Sequence, residues 1–212
     1  MKKISIVGLG FVGLPLACIL ASLKNKYQVY GIDKKISDNA NNSKKDMLSL
    51  FSQKLVDKKL ITVFEKAKKN KNLIFSKSFP IIKNSDVIVV SVNFDFKKGS
   101  TNKTFKKLKN LFNEIAINIG QNTLILLETT VPPGTSEKII IPLIKKIFLK
   151  RKISAKKINF AYSYERVMPG KNYYNSIVNI NRCYSGLNKK SLNKCETFLK
   201  TFVNYKKYPL YK

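Results

Sequence analysis

Apolar residues recur along this chain with two periods, one suited to strands and one to helices. Ile4-Ser5-Ile6-Val7 is a short, mostly β-branched run that predicts a buried strand, and Tyr27 to Ile32 predicts a second. Between them, Leu14 to Leu23 is continuously apolar enough for a helix. Ile36 to Ser43 is polar and reads as a loop. From Met47 to Lys69, Leu48, Phe51, Leu55, Leu60, Val63, Phe64 and Ala67 fall at helical spacing. Leu73-Ile74-Phe75 predicts a short strand, and Asp86 to Val92 a buried one with no polar interruption after its first residue until Ser91. Phe94 to Thr101 reads as a loop, Phe105 to Ile119 as a helix and Thr123 to Leu127 as a strand. Val131-Pro132-Pro133-Gly134 is a turn, with Thr135 or Ser136 the expected cap of a helix running to Leu149. Ile158 to Tyr162 predicts a strand, Leu187 to Phe202 a helix, and Tyr205 to Tyr211 an extended tail.

Strands alternating with helices at this spacing imply βαβ units with right-handed crossovers. The expected fold is therefore α/β: a Rossmann-like, doubly wound, mostly parallel sheet with helices on both faces. Residues 1–186 form the expected binding domain, and 187–212 a helix and tail leading on from it. Ligands of such sheets bind beyond the carboxyl ends of the strands. Gly8 to Gly13, Asp33, Ser91 to Phe94, Glu128 to Thr130 and Ser163 to Arg166 all fall at those ends.

The first of these segments carries the most specific chemistry. Gly8-Leu9-Gly10-Phe11-Val12-Gly13 is a G-x-G-x-x-G set between a strand and a helix, with Asp33 closing the next strand. Gly8 permits the turn, Gly10 allows a pyrophosphate to approach the backbone, and Gly13 lets the helix pack against the strand. The free N–H groups of the helix N-terminus attract phosphate. A carboxylate at Asp33 accepts hydrogen bonds from the adenosine ribose and disfavours a 2′-phosphate, which selects NAD over NADP, although Lys34 and Lys35 blunt that preference. Thr130 is placed to reach a nicotinamide ribose or a water. Glu165 is placed to accept a proton or bind sugar hydroxyls, and Arg166 to hold a carboxylate or phosphate. The plainer alternatives are a strand-to-helix connection at Thr130 and a solvated Glu165–Arg166 pair.

Composition narrows the classes. The chain has 212 residues, 44% of them hydrophobic, which is globular rather than disordered. No apolar run reaches membrane-spanning length, and Met1-Lys2-Lys3 leads into glycines and Pro15 rather than an export signal, so a cytoplasmic protein is expected. The formal charge is +29. It is nearly all lysine, spread over every polar face; the arginines are Arg151, Arg166 and Arg182. A diffuse field of this kind favours anionic small molecules over specific nucleic-acid recognition. Cys18, Cys183 and Cys195 lack metal-ligand spacing, and with no histidine in the chain no metal site is expected.

The segments G-L-G-F-V-G-L-P, E-T-T-V-P-P-G-T and Y-x-x-E-R-x-x-P-G stand in an order and spacing that resemble the UDP-glucose/GDP-mannose dehydrogenase family, from Lys3 to about Lys200. The E-R-x-x-P-G form is similar to its branch acting on UDP-N-acetylhexosamines. The resemblance implies oxidation of the C6 hydroxyl of a nucleotide sugar to a carboxylate with two NAD, through an aldehyde and a cysteine thiohemiacetal. It implies NAD binding by Gly8, Gly10, Phe11, Val12, Gly13, Asp33 and Thr130. Catalytic roles fall to Thr130 and Glu165, and substrate binding to Glu165, Arg166 and Val167. Two segments depart from the family pattern: Val92-Asn93-Phe94-Asp95 stands for V-P-T-P, and Ser163-Tyr164-Glu165-Arg166 for S-P-E-R. The family's nucleophilic cysteine, in G-x-C-F/L-P-K-D, has no match in Cys183 or Cys195. The 212 residues alone are therefore expected not to complete the oxidation and to need a carboxy-terminal half, as a truncated product or one part of a split enzyme. A stand-alone dinucleotide-binding module is the alternative. The family dimerises through a central helix, so apolar surface at Phe198, Phe202 and Tyr205 is expected to lack a partner.

Overall fold

The computed structural model describes residues 1–23, 25–36, 56–97, 99 and 101–212. Among the described residues, eight strands form one sheet in the order β3-β2-β1-β4-β5-β6-β7-β8. They are β1 (Lys2–Val7), β2 (Tyr27–Ile32), β3 (Leu73–Ser76), β4 (Val87–Val90), β5 (Leu124–Leu127), β6 (Asn159–Ser163), β7 (Arg182–Gly186) and β8 (Leu210–Tyr211). Neighbours are parallel throughout, except that β7 runs antiparallel to β6. The order reverses beside β1, between β1 and β4, which is where a doubly wound sheet opens its ligand crevice.

Strand residues alternate between two cores, as the period of two requires. Ile4, Ile6, Val29, Val89, Leu124 and Leu126 face one; Val7, Ile32, Ile88, Val90, Ile125 and Leu127 face the other. The first core is covered by α1 (Gly13–Ser22), α2 (Lys58–Asn70), α5 (Tyr173–Val178) and α6 (Lys189–Leu199), the second by α3 (Thr101–Asn118) and α4 (Ile141–Lys150). Residues 13–21 of α1 are all buried, so this helix carries no polar face and lies wholly inside the protein.

The predicted α/β alternation is present, with corrections at several ends. The helix expected over Met47–Lys69 begins only at Lys58. Val56 and Asp57 are non-helical, and the part before Val56 lies outside the described residues. Asp57 sets that start: its Oδ1 accepts the N–H groups of Lys59 (2.8 Å) and Leu60 (3.1 Å), while its Oδ2 accepts Tyr174 N–H at 2.8 Å. Asp57→Ala therefore frees three donors at once. It should lower the urea-unfolding free energy by about 1–2 kcal/mol, the upper part of the range for a lost helix cap; a loss under about 0.5 kcal/mol would mean water replaces the carboxylate freely.

Thr135 does not cap a helix, because its hydroxyl donates to the Pro132 carbonyl; a π-helical turn, Ser136–Ile140, leads into α4 instead. The buried strand expected over Asp86–Val92 is hydrogen-bonded only over Val87–Val90. In the tail, only Leu210–Tyr211 is extended, pairing with Arg182–Cys183. The apolar surface expected at Phe198 and Phe202 is absent: they are 4% and 8% exposed. The turn after α6 folds back so that their rings meet edge-on at 5.5 Å, and Phe202 lies 5.3 Å from the Arg182 guanidinium. Only Tyr205 of the three is exposed. No helix among the described residues is long and apolar enough to cross a membrane.

Candidate dinucleotide and substrate site

The strand ends bring the sequence-predicted segments to one edge. Gly8 leaves β1 at φ +92°, a left-handed conformation that suits glycine, and its N–H donates to the Ile32 carbonyl at 2.8 Å. A Cβ on Gly13 would stand 1.9 Å from the Gly8 carbonyl oxygen and 2.4 Å from Ser91 Oγ. That close approach is what the third glycine permits. Gly10 is different. A Cβ there would meet nothing within 4 Å, and its φ is not in the left-handed region. Neither backbone strain nor protein packing accounts for this glycine, so the space in front of it is open to a ligand.

The N-terminus of α1 opens on the same space. Val12 stands at its cap position, and no side chain among the described residues accepts a hydrogen bond there; with Leu14 N–H bonded to the Gly10 carbonyl and Pro15 lacking an N–H, the backbone before Leu14 is what this end offers an anion. Asp33, half-buried at the end of β2, accepts Leu9 N–H through Oδ2 at 2.8 Å and Lys35 N–H through Oδ1 at 2.9 Å. One carboxylate thus fixes the glycine turn, while each oxygen keeps a second lone pair. Phe11 is 44% exposed, and its carbonyl accepts the Tyr173 hydroxyl from α5. These features fit a dinucleotide: an open glycine, an uncapped helix end and an oriented carboxylate lie in sequence along one crevice.

At the end of β5 the two threonines separate. Thr129 is buried, donating to the carbonyls of Val92 (2.9 Å) and Val90 (3.3 Å), whereas Thr130 is exposed. Beyond β6, Glu165 is partly buried and its Oε2 accepts Val167 N–H at 2.7 Å; Arg166 is exposed and Val167 partly buried. Glu165 sits close enough to Glu128, Tyr162 and Tyr173 to raise the proton affinity of each, behind the larger effect of burial. Thr130, Glu165, Arg166 and Val167 therefore lie on the same edge as the glycine turn. The segment Val92-Asn93-Phe94-Asp95, where the family pattern departs, is tied to this edge by Thr129, and the rings of Phe94, Phe96 and Phe105 meet there in tilted contacts, their centroids 6.5 and 5.0 Å apart.

Sequence reasoning placed Glu128 at this edge without its partner, and missed Arg182, Tyr173 and Asp57. Beneath Thr130 and Glu165, Glu128 Oε1 accepts Arg182 Nη1–H at 2.7 Å, both side chains being buried, with Glu128 Oε2 and Arg182 Nε unpartnered. Burial pushes the Glu128 carboxyl up, against the pull of Arg182 and with the push of Glu165. Tyr173 and Asp57 tie α5 to the glycine turn and to α2. The scarcity of arginine was the one signal available for Arg182. Among the described residues, no group of His, Cys, Asp or Glu could hold a metal ion. Burial pushes the Cys18 and Cys195 thiols up to about 12, which leaves both unreactive.

A doubly wound parallel sheet with an open glycine at its switch point, an uncapped helix end and an acidic residue closing β2 defines a dinucleotide-binding domain of the Rossmann class. Residues 2–203 match the model of the UDP-glucose/GDP-mannose dehydrogenase family, NAD binding domain, and the chain belongs to that family. A UDP-N-acetyl-D-mannosamine dehydrogenase of Methanococcus vannielii is 31% identical over 212 residues, covering 98% of this chain and 44% of the relative. The UDP-D-ManNAc dehydrogenase of Pyrococcus horikoshii superposes with a TM-score of 0.76 at 22% identity over 99% of this chain and 46% of its own. An NDP-N-acetyl-D-galactosaminuronic acid dehydrogenase of Methanosarcina mazei Go1 gives 0.79 at 19%, over 100% and 44%. The chain thus spans less than half the length of these proteins.

Proposed function

We propose that this chain is the cofactor-binding half of a nucleotide-sugar 6-dehydrogenase whose substrate is a UDP-linked N-acetylhexosamine or a close analogue. The observation that carries the cofactor role is Gly10, a glycine at the switch point that neither backbone strain nor protein packing requires. The substrate class comes from the relatives, the UDP-N-acetyl-D-mannosamine and NDP-N-acetyl-D-galactosaminuronic acid dehydrogenases. Bound NAD would supply a hydride acceptor for a carbinol carbon. The chain's own residues do the rest. Gly10, Phe11, Val12 and Gly13 present backbone to the pyrophosphate, Gly8 makes the turn that brings them there with its own N–H held by the Ile32 carbonyl, and Asp33 takes the adenosine ribose. The exposed Thr130 hydroxyl orients a group at the reacting end. Glu165 is oriented by the Val167 N–H that Oε2 accepts and supplies its carboxylate as the proton acceptor. Arg166 and the Val167 backbone line the substrate's path. Residues 1–186 form the binding unit, and the segment from 187 leads toward the remainder of the enzyme. That remainder brings the thiol nucleophile, because Cys195 is buried and inert and Cys183, though exposed, stands in β7 between β6 and β8, outside the family's cysteine motif. It acts as a second half or through a homodimer, in the cytoplasm, where NAD and nucleotide sugars are made.

Calorimetric titration with NAD, wild type against Gly10→Val, tests this reading. The variant should keep its circular dichroism spectrum, since its Cβ has no protein atom within 4 Å, yet bind at least about tenfold more weakly. A folded wild-type protein that evolves no binding heat, or a variant that binds like wild type, overturns the assignment.

A further inference from the structure

Pro15 lies in the first turn of α1, where proline is tolerated. Its consequence falls four residues earlier. In an α-helix the carbonyl of residue 11 would accept the N–H of residue 15, and proline has none. The neighbouring bonds are made, Leu14 N–H to the Gly10 carbonyl and Leu16 N–H to the Val12 carbonyl, each at 3.2 Å. The Phe11 carbonyl is thus left over, and the Tyr173 hydroxyl of α5 donates to it across 162 residues of sequence. Tyr173 is only 6% exposed, and burial pushes its phenol further up, so the hydroxyl stays a donor at any working pH.

The Phe11 carbonyl belongs to the same peptide unit as Val12 N–H, one of the donors proposed above for the pyrophosphate. A hydrogen bond accepted at the carbonyl polarises that unit and strengthens the N–H as a donor. It also fixes the orientation of the peptide plane. α5 is held in turn to the substrate loop, where Ser176 Oγ accepts Met168 N–H at 3.0 Å, and to the cap of α2, where Asp57 accepts Tyr174 N–H.

We infer that Tyr173 is a positioning residue for the cofactor pyrophosphate, acting through the Phe11–Val12 peptide that Pro15 leaves unbonded and tying that peptide to the loop bearing Glu165 and Arg166. This rests on the NAD-binding role proposed above.

Two variants and two readouts test it. In ligand-free protein, Tyr173→Phe should move the Val12 amide proton upfield in ¹H–¹⁵N spectra, a result independent of whether NAD binds. The same variant should weaken NAD about three- to tenfold, the equivalent of one ordinary hydrogen bond. Adding Pro15→Ala returns a backbone N–H to the Phe11 carbonyl. The double variant should recover binding to within about twofold of wild type and move the amide back. A structural role of the tyrosine ring would move neither readout in this pattern, because the phenyl ring keeps the packing. An unmoved Val12 amide, undiminished NAD binding in Tyr173→Phe, or a loss that Pro15→Ala does not restore overturns the inference. A wild-type protein without NAD binding is instead the failure of the cofactor role, and the amide shift still decides the hydrogen bond.

Discussion

Replacing Arg182 with methionine is expected to destabilise the protein by about 3–5 kcal/mol, the range for leaving half of a buried ion pair uncompensated. Arg182 opens β7, the antiparallel strand, and reaches across β6 to Glu128 at the end of β5. The two side chains are 2% and 0% exposed. Their bond is single: Glu128 Oε2 and Arg182 Nε have no partner, so the pair recovers only part of what its desolvation costs. Replacing both groups together is therefore a different experiment. Glu128→Leu with Arg182→Met should come within about 1 kcal/mol of wild type or exceed it. The single variant also carries a pH signature. Burial raises the Glu128 carboxyl above its unfolded value, Arg182 pulls it down, and Glu165 raises it further. A raised carboxyl contributes its stability fully below the unfolded pKa and loses it as pH rises through the folded value. Removing Arg182 takes away the opposing pull, so the loss in Arg182→Met should be smaller near pH 4 than at pH 7. Urea midpoints at the two pH values, with the slope unchanged, measure both effects. A single-variant loss below about 1 kcal/mol at neutral pH would show that water reaches Glu128.

Local signals made half of this architecture legible. Gly8, Gly13 and Asp33 could be read because each answers a local steric or hydrogen-bonding demand of the turn, and the spacing of those demands is fixed by one strand, one turn and one helix. The buried strands β4 and β5 could be read because residues covered on both faces need no polar alternation. The region from Lys171 to Gly186 could not. β7 is Arg-Cys-Tyr-Ser-Gly, with Arg182 and Tyr184 buried and Cys183 and Ser185 exposed. That alternation is regular, but it places a charged residue where a hydrophobic one would be expected. Its reason is Glu128, which lies 54 residues away. Phe198 and Phe202 were misjudged for a related cause. Their burial depends on the chain turning back after α6, with Asn204 N–H donating to the Val178 carbonyl at 2.7 Å, and no local pattern encodes that turn. The start of α2 shows the same limit in reverse. The helical spacing of Leu55 and Leu60 runs straight through Asp57, and only the cap geometry shows that the helix begins there.

Asp33→Ala should weaken NAD about ten- to a hundredfold, the loss of a hydrogen bond to a charged acceptor, and should at the same time improve NADP relative to NAD. The two effects have one origin. In the wild type, Asp33 is held by Leu9 N–H on one side and Lys35 N–H on the other, so its charge cannot swing away from an incoming 2′-phosphate. Lys34 and Lys35, both exposed, stand beside it with the opposite sign. With the carboxylate present, a ribose hydroxyl gains a charged acceptor and a phosphate meets repulsion. Without it, the hydroxyl loses its partner while the two lysines remain to attract phosphate. The preference is then the balance of one fixed anion against two mobile cations, and it should narrow as salt screens the lysines. The variant also frees Leu9 N–H within the glycine turn, so some of the loss with NAD is shared by any pyrophosphate ligand. Titrating Asp33→Ala with NAD, NADP and ADP separates the terms. The loss with ADP, which carries the same adenosine ribose and a pyrophosphate, should match that with NAD, and NADP should lose least. If NADP falls as far as NAD, the carboxylate acts only by holding Leu9, and the discrimination lies elsewhere in the crevice.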